Sequence, residues 1–193
     1  EKKNYIIPVQ NNMNLLKSGQ KTFSIALGNY KTIEKLTDDS VLQGSYNYGL
    51  NNYLTLLSGV NLTEDYQGVL LGAGLNTFFG GVSIKANASQ ATWLDQDYNG
   101  HKIALDYSYY LPAYKMNFYA NAQTQTQHYL SVSNLLSYKN YDYFNTNELN
   151  DLSLTADLKN QINFSLSKSF DNPKVGAFSV GFLVSDYWNS DNN

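Results

Sequence analysis

Between Tyr53 and Ala91 the chain alternates apolar and polar residues three times over, and this leaves little choice of local structure. Read in steps of two, Leu54, Leu56, Val60 and Leu62 share one face, with Thr55 and Asn61 on the other. After Thr63-Glu64-Asp65 the pattern restarts at Tyr66, with Val69, Leu71, Ala73 and Leu75 on the apolar side. After Phe78-Phe79-Gly80-Gly81 it resumes, with Val82, Ile84, Ala86 and Ala88 against Ser83, Lys85, Asn87 and Ser89. A period of two means extended strands with one apolar and one polar face. Connections this short make neighbouring strands antiparallel. The expected fold class is all-β, an antiparallel up-and-down meander.

The flanking chain repeats the unit. Residues 1–20, with Pro8 and the run Gln10-Asn11-Asn12, read as an irregular lead-in, and residues 21–193 as consecutive strands. Strand one is expected over Lys21–Asn29, with Phe23, Ile25 and Leu27 together, and strand two over Val41–Tyr48. Polar loops are expected through Asp38-Asp39-Ser40 and from Trp93 to Gly100. Strand six carries Ile103, Leu105, Tyr107 and Tyr109 on one side, and strand seven Met116, Phe118, Ala120 and Ala122. Tyr129 to Asn150 has no sustained period. Leu152 to Leu158 and Ile162 to Leu166 read either as two strands meeting at Lys159-Asn160 or as one long strand. The last strand groups Phe178, Val180, Phe182 and Val184 and ends at Asp186-Tyr187-Trp188.

Composition narrows the function classes. With no cysteine among 193 residues, disulfides and thiolate metal sites are excluded. Charged residues make up 15%, below the roughly 25% of soluble domains. All 13 basic residues are Lys, so arginine clamps for phosphate or carboxylate are absent. A net charge of -3 argues against nucleic acid as a partner. No run approaches the ~18 apolar residues of a transmembrane helix, and the start lacks the apolar core of a signal peptide, as expected of a mature chain or a segment of a longer one.

Two architectures fit this pattern. In an outer-membrane barrel the apolar face meets lipid, whereas in a soluble sandwich it packs on a second sheet. The connections at 49–52, 77–81 and 111–114 are short, while at the other end those at 30–40, 92–100 and 129–150 are longer and only 63–65 is short, and strands of roughly 9–11 residues match a tilted membrane crossing. Aromatic residues near strand ends (Tyr48 and Tyr53, Phe78 and Phe79, Tyr110 and Tyr114, and Tyr66, Trp93 and Tyr129) suit interfacial girdles. These features favour the barrel. In a large barrel, Lys85, Asn87, Asp106, Ser108, Asn117, Asn121 and Gln123 would line the lumen, a mostly neutral wall past which a folded polypeptide could move. A soluble sandwich binding carbohydrate through its many Tyr is the alternative.

Candidate chemistry is sparse. Asp95-Gln96-Asp97-Tyr98-Asn99-Gly100, with Asp106 beyond, matches the opening of a calcium loop, but Lys102, the lack of a bidentate Glu and the strand flanks favour a polar external loop. His101 and His128 have no third histidine to complete a metal site. No Gly-x-Ser-x-Gly elbow, triad spacing or dinucleotide fingerprint occurs. No enzyme activity and no cofactor are expected.

Several blocks, in order, resemble one family. Pro8 through Leu15-Leu16-Lys17-Ser18-Gly19 is similar to a Pro…Leu-Leu-Arg-Glu-Gly lead-in, with Lys17-Ser18 in place of Arg-Glu. Tyr48-Gly49-Leu50, Gly59-Val60-Asn61-Leu62 and Glu64-Asp65-Tyr66 resemble its next block. Gly72-Ala73-Gly74-Leu75-Asn76, Gly81-Val82-Ser83-Ile84, Ser89-Gln90-Ala91, Met116-Asn117-Phe118 and Asp186-Tyr187-Trp188-Asn189 follow. Together they resemble the translocation-pore barrel of the fimbrial outer-membrane ushers, just after the plug domain. The resemblance implies a segment of a barrel of about 24 strands in the Gram-negative outer membrane. It implies export of pilus subunits delivered by periplasmic chaperones, with outer-membrane lipid and the usher's plug and periplasmic domains as further partners. Another outer-membrane channel, closed with fewer strands, is the alternative within this class.

Overall fold

The computed structural model describes residues 15–31, 36–93, 96–136, 158–170 and 176–188. Their strands are β1 (Lys21–Lys31), β2 (Leu36–Gly49), β3 (Leu54–Thr63), β4 (Tyr66–Thr77), β5 (Gly80–Trp93), β6 (Gln96–Leu111), β7 (Met116–Gln125), β8 (Leu158–Ser169) and β9 (Ala177–Tyr187). All pair antiparallel with their neighbours in sequence order, forming one sheet from β1 to β9. A 3-10 turn, Pro112–Tyr114, joins β6 to β7. No helix among the described residues is long and apolar enough to cross a membrane, which says nothing of strands.

The register carries the two faces through the sheet, because directly paired residues share a side. Val60 pairs with Val69, Leu75 with Val82 and Ile84 with Leu105. On the other side Ser83 pairs with Asp106, and Asp106 with Asn121. The exposure is inverted relative to a soluble sheet. Phe23, Leu71 and Phe182 are 79%, 62% and 65% exposed, while Thr55 and Ser83 are 1% and 2% exposed. The polar face curls on itself, so that Ser24 and Gln43 of β1 and β2 line the same cavity of about 530 Å³ as Lys85, Asp106 and Tyr119. An apolar face turned outward around a polar interior belongs to a barrel wall, not to a sandwich layer.

Two expectations about the strands need correction. β1, β3, β7 and β9 keep to the expected 9–11 residues, but β2, β4, β5, β6 and β8 are longer, from 12 in β4 and β8 to 16 in β6. The loops expected at 30–40 and 92–100 are largely strand, since β2 begins at Leu36 and β6 at Gln96. Polar residues there stay in the ladder although the apolar period has ended. The expected contrast between a short-turn end and a long-loop end therefore rests on the connection between β7 and β8 alone. Of the two readings open at Lys159-Asn160, a junction between strands there is excluded, since both residues lie within β8, which shows only a register shift against β9 between Leu158 and Asn160. The strand expected from Leu152 to Ala156 lies outside the described residues.

Candidate functional site

Alternation along β5, β6 and β7 puts Lys85, Asn87, Asp106, Ser108, Asn117, Asn121 and Gln123 on one face, the polar one. At its centre the Lys85 ammonium lies 2.8 Å from Asp106 Oδ2. Ser83 Oγ donates to the same oxygen at 3.1 Å, and Asn121 Nδ2 and Tyr119 Oη donate to Oδ1 at 2.8 and 3.0 Å. A buried carboxylate needs this many donors to offset its lost hydration. One level away, Gln123 Nε2 donates to Gln161 Oε1 at 2.8 Å, and Gln161 Nε2 to Ser185 Oγ at 3.1 Å. The wall is thus laced by side-chain bonds running across β5 to β9.

Of the seven residues singled out from sequence, Lys85, Asp106 and Asn121 meet in one cluster and Gln123 joins the second row. Asn87, Ser108 and Asn117 stand at other levels, opposite Lys102, Tyr119 and Ser167. Ser83, Tyr119, Gln161 and Ser185 complete the network and were missed. Ser83 and Tyr119 carry the right parity, which is the signal that could have found them.

Both ends of this face are covered by chain. At the end of the short turns, Leu16 N–H donates to Thr55 Oγ1 at 2.9 Å, and Leu15 lies over Gly74, where a Cβ would come within 2.6 Å of it. At the opposite end the segment after β7 folds inward. Tyr66 Oη donates to the Leu130 carbonyl at 3.2 Å, and Leu130 N–H donates to Ser89 Oγ at 3.3 Å. Leu130 and Leu135 pack with Tyr66 and Ala91, flanked by Trp93, Tyr98 and Val132. Tyr129, outside the strands and buried, has its phenol pKa pushed up by desolvation. Tyr66 and Trp93, expected in an interfacial girdle, therefore belong to this inner cluster, because parity along β4 and β5 turns them to the polar side, and Tyr129, expected in the same girdle, is buried next to Leu130 in the chain.

The calcium reading is not supported by the strand geometry. Gln96 to Gly100 are extended in β6, Asp97 accepts a bond from Thr92 Oγ1 at 2.9 Å, and Asp95 lies outside the described residues. Asp97 and Asp106 differ in parity, so they point to opposite faces. Among the described residues, no three His, Cys, Asp or Glu side chains gather as metal ligands. His101 is exposed on β6, and His128 stacks edge-on to Tyr98 at 6.3 Å.

The family model described as "Outer membrane usher protein" matches residues 1–193. The chain is similar to the outer membrane usher protein HtrE of Escherichia coli K12, 28% identical over 200 residues, covering 100% of this chain and 23% of HtrE. It is also similar to the usher HifC of Haemophilus influenzae, 33% identical over 116 residues, covering 60% of this chain and 13% of HifC. Among solved structures, the P pilus usher (PapC) translocation pore superposes with a TM-score of 0.66 at 21% identity, covering 91% of this chain and 34% of that one. The same fold recurs in the E. coli P pilus tip assembly intermediate PapC-PapD-PapK-PapG, with a TM-score of 0.65, 21% identity, and coverage of 91% and 21%. The chain thus spans about a quarter of the length of its first relative. An inverted antiparallel meander matched along its whole length by this family model has one assignment: the chain belongs to the outer membrane usher family.

Proposed function

We propose that residues 1–193 form part of the wall of an outer-membrane translocation pore, through which pilus subunits brought by periplasmic chaperones pass during fibre assembly. The observation that carries this is the inverted sheet: Leu71 and its neighbours face outward, and the hydrogen-bonded Lys85–Asp106–Asn121 wall faces in. Lining the lumen is the role assigned to Lys85, Asn87, Asp106, Ser108, Asn117, Asn121 and Gln123. Most of these side chains are neutral, and the one acid among them is already paired, so the wall offers few sites at which a passing subunit would stick. The remaining usher domains, the plug and the periplasmic domains, would complete the protein. Its work is passage, with no bond made or broken by this wall.

The test is site-specific photo-crosslinking in the full-length usher, in cells that assemble the pilus. A crosslinker at Asn117 should capture subunits in transit, and one at Val184 should capture lipid or nothing. Subunits captured equally from both positions would sink the reading.

A further inference from the structure

The two ends of the sheet differ in charge. At the short-turn end the described charged residues are Lys17, Lys21, Lys115 and Lys168, with no Asp or Glu. At the other end, among residues with described side chains, carboxylates predominate, with Glu64, Asp65, Asp97 and Asp186 against Lys159. In the last short connection, outside the described residues, Asp171 and Lys174 cancel.

Three of the four short-end lysines lie where the apolar band meets water. Lys21 pairs with Tyr48, on the outward side that continues as Phe23 and Ile25, and its ammonium is 5.7 Å from the Tyr48 ring centroid. Lys168 pairs with Met116 and Phe178, both on the outward side, with its ammonium 5.4 Å from the Phe170 ring. Lys115 is exposed immediately before Met116, and its carbonyl accepts a bond from Ser169 N–H at 3.0 Å, so Lys115 and Lys168 share a corner. Rings mark the same level, with Phe78 and Phe79 at 90% and 72% exposed.

We propose that this rim is a docking surface for anionic phospholipid headgroups, with Lys21, Lys115 and Lys168 contacting their phosphates. The proposal rests on the membrane-barrel reading. Lysine stems lie along apolar surface while the ammonium reaches the headgroup layer, and interfacial rings hold the wall at that depth. A soluble partner at the mouth of the pore would meet the turns and the inward side chains. Lys21 and Lys168, on outward positions beside Phe23 and Phe178, instead meet the lipid leaflet. A lysine near an anionic bilayer surface favours association roughly fivefold.

The test uses the full-length usher, wild type and the Lys21→Gln/Lys115→Gln/Lys168→Gln variant, in nanodiscs of mixed phosphatidylglycerol and phosphatidylcholine. Lipids retained on release are counted by native mass spectrometry. The wild type should retain phosphatidylglycerol several-fold over phosphatidylcholine, and the variant should lose at least fivefold of that preference. Equal retention of the two lipids, or an unchanged variant, overturns the proposal. Displacement of the lipid by excess inorganic phosphate would show a site for free phosphate and also overturn it. If the variant keeps its preference but loses a chaperone–subunit complex, the lysines serve a protein partner and the proposal falls. Insertion of both proteins into pure phosphatidylcholine keeps the barrel reading whatever the lipid preference. Failure of the wild type to insert at all sinks both.

Discussion

Lys85 Nζ sits 2.8 Å from Asp106 Oδ2 across the β5–β6 ladder, and Asp106 is 5% exposed. Ser83, Tyr119 and Asn121 also donate to this carboxylate, so removing it strands four donors at once. Asp106→Leu should cost about 3 kcal/mol, the low end for breaking a buried pair, because the Lys85 ammonium keeps some access to water. Lys85→Met added to Asp106→Leu should recover part of that loss by removing the orphaned charge. Urea unfolding of the full-length usher in detergent gives both numbers. A double variant no more stable than Asp106→Leu would show that Lys85 needs no partner.

The inverted faces predict opposite tolerance to the same substitution. Leu71 and Val60 lie outward, and Asn87 lies on the polar face opposite Lys102. Leu71→Arg or Val60→Arg should cost about 2–4 kcal/mol at mid-depth in a bilayer. Asn87→Arg adds a third cation near Lys85 and Lys102, but in a hydrated interior, so folding into vesicles should be nearly unaffected. Equal losses at the two faces would contradict the membrane orientation of the sheet.

How far the sequence could be read depended on parity. From Leu54 to Ser89 the faces are legible because each strand keeps its alternation and each turn is short. The register was less accessible, and it is what joins Ser83 and Lys85 to Asp106. Pairing the odd-numbered polar residues of β5 with the even-numbered ones of β6 requires an even number of residues between the paired strand ends. A nine-residue loop at 92–100 would set Lys85 opposite Tyr107, a polar position against an apolar one, whereas the eight residues from Trp93 to Gly100 keep the parity and would set it opposite Ser108. The observed pairing of Trp93 with Gln96 keeps the parity too and sets Ser83 opposite Asp106, a choice between even connections that alternation alone does not make. Tyr66 and Trp93 were harder to place, since an aromatic ring suits a lipid interface and an inner cluster equally well. The segment from Tyr129 to Leu136 has no period, and its inward fold shows only in three dimensions.

The Thr55 hydroxyl ties the lead-in to β3, beside bonds from Ser18 N–H to Asn52 Oδ1 and from Gly19 N–H to the Gly49 carbonyl. Thr55 Oγ1 accepts from Leu16 N–H at 2.9 Å, and Thr55 is 1% exposed. Thr55→Val keeps the shape and removes the acceptor, leaving a partly buried N–H unpaired at a cost of about 1–3 kcal/mol. Thr55→Ser should retain the bond and most of the stability. Thermal unfolding of the two variants in the same detergent separates the cases. A Val variant as stable as wild type would mean that water replaces the hydroxyl.

The inward segment after β7 is fastened at Leu130 by both of its backbone groups. Tyr66→Phe removes the donor to its carbonyl and Ser89→Ala the acceptor for its N–H, each worth about 1 kcal/mol net. Gly100→Ala should act more strongly than either, because a Cβ at Gly100 would overlap the Tyr129 backbone, which cannot swing aside as a flexible side chain would. The readout is alkylation of a cysteine placed at Leu135, which the segment itself carries and buries in the cluster with Tyr66 and Ala91. Wild type should react slowly, the two single side-chain variants several-fold faster, and Gly100→Ala fastest, with the strands unperturbed in hydrogen exchange. If Gly100→Ala reacts no faster than wild type, Tyr129 does not rest against β6 in the membrane.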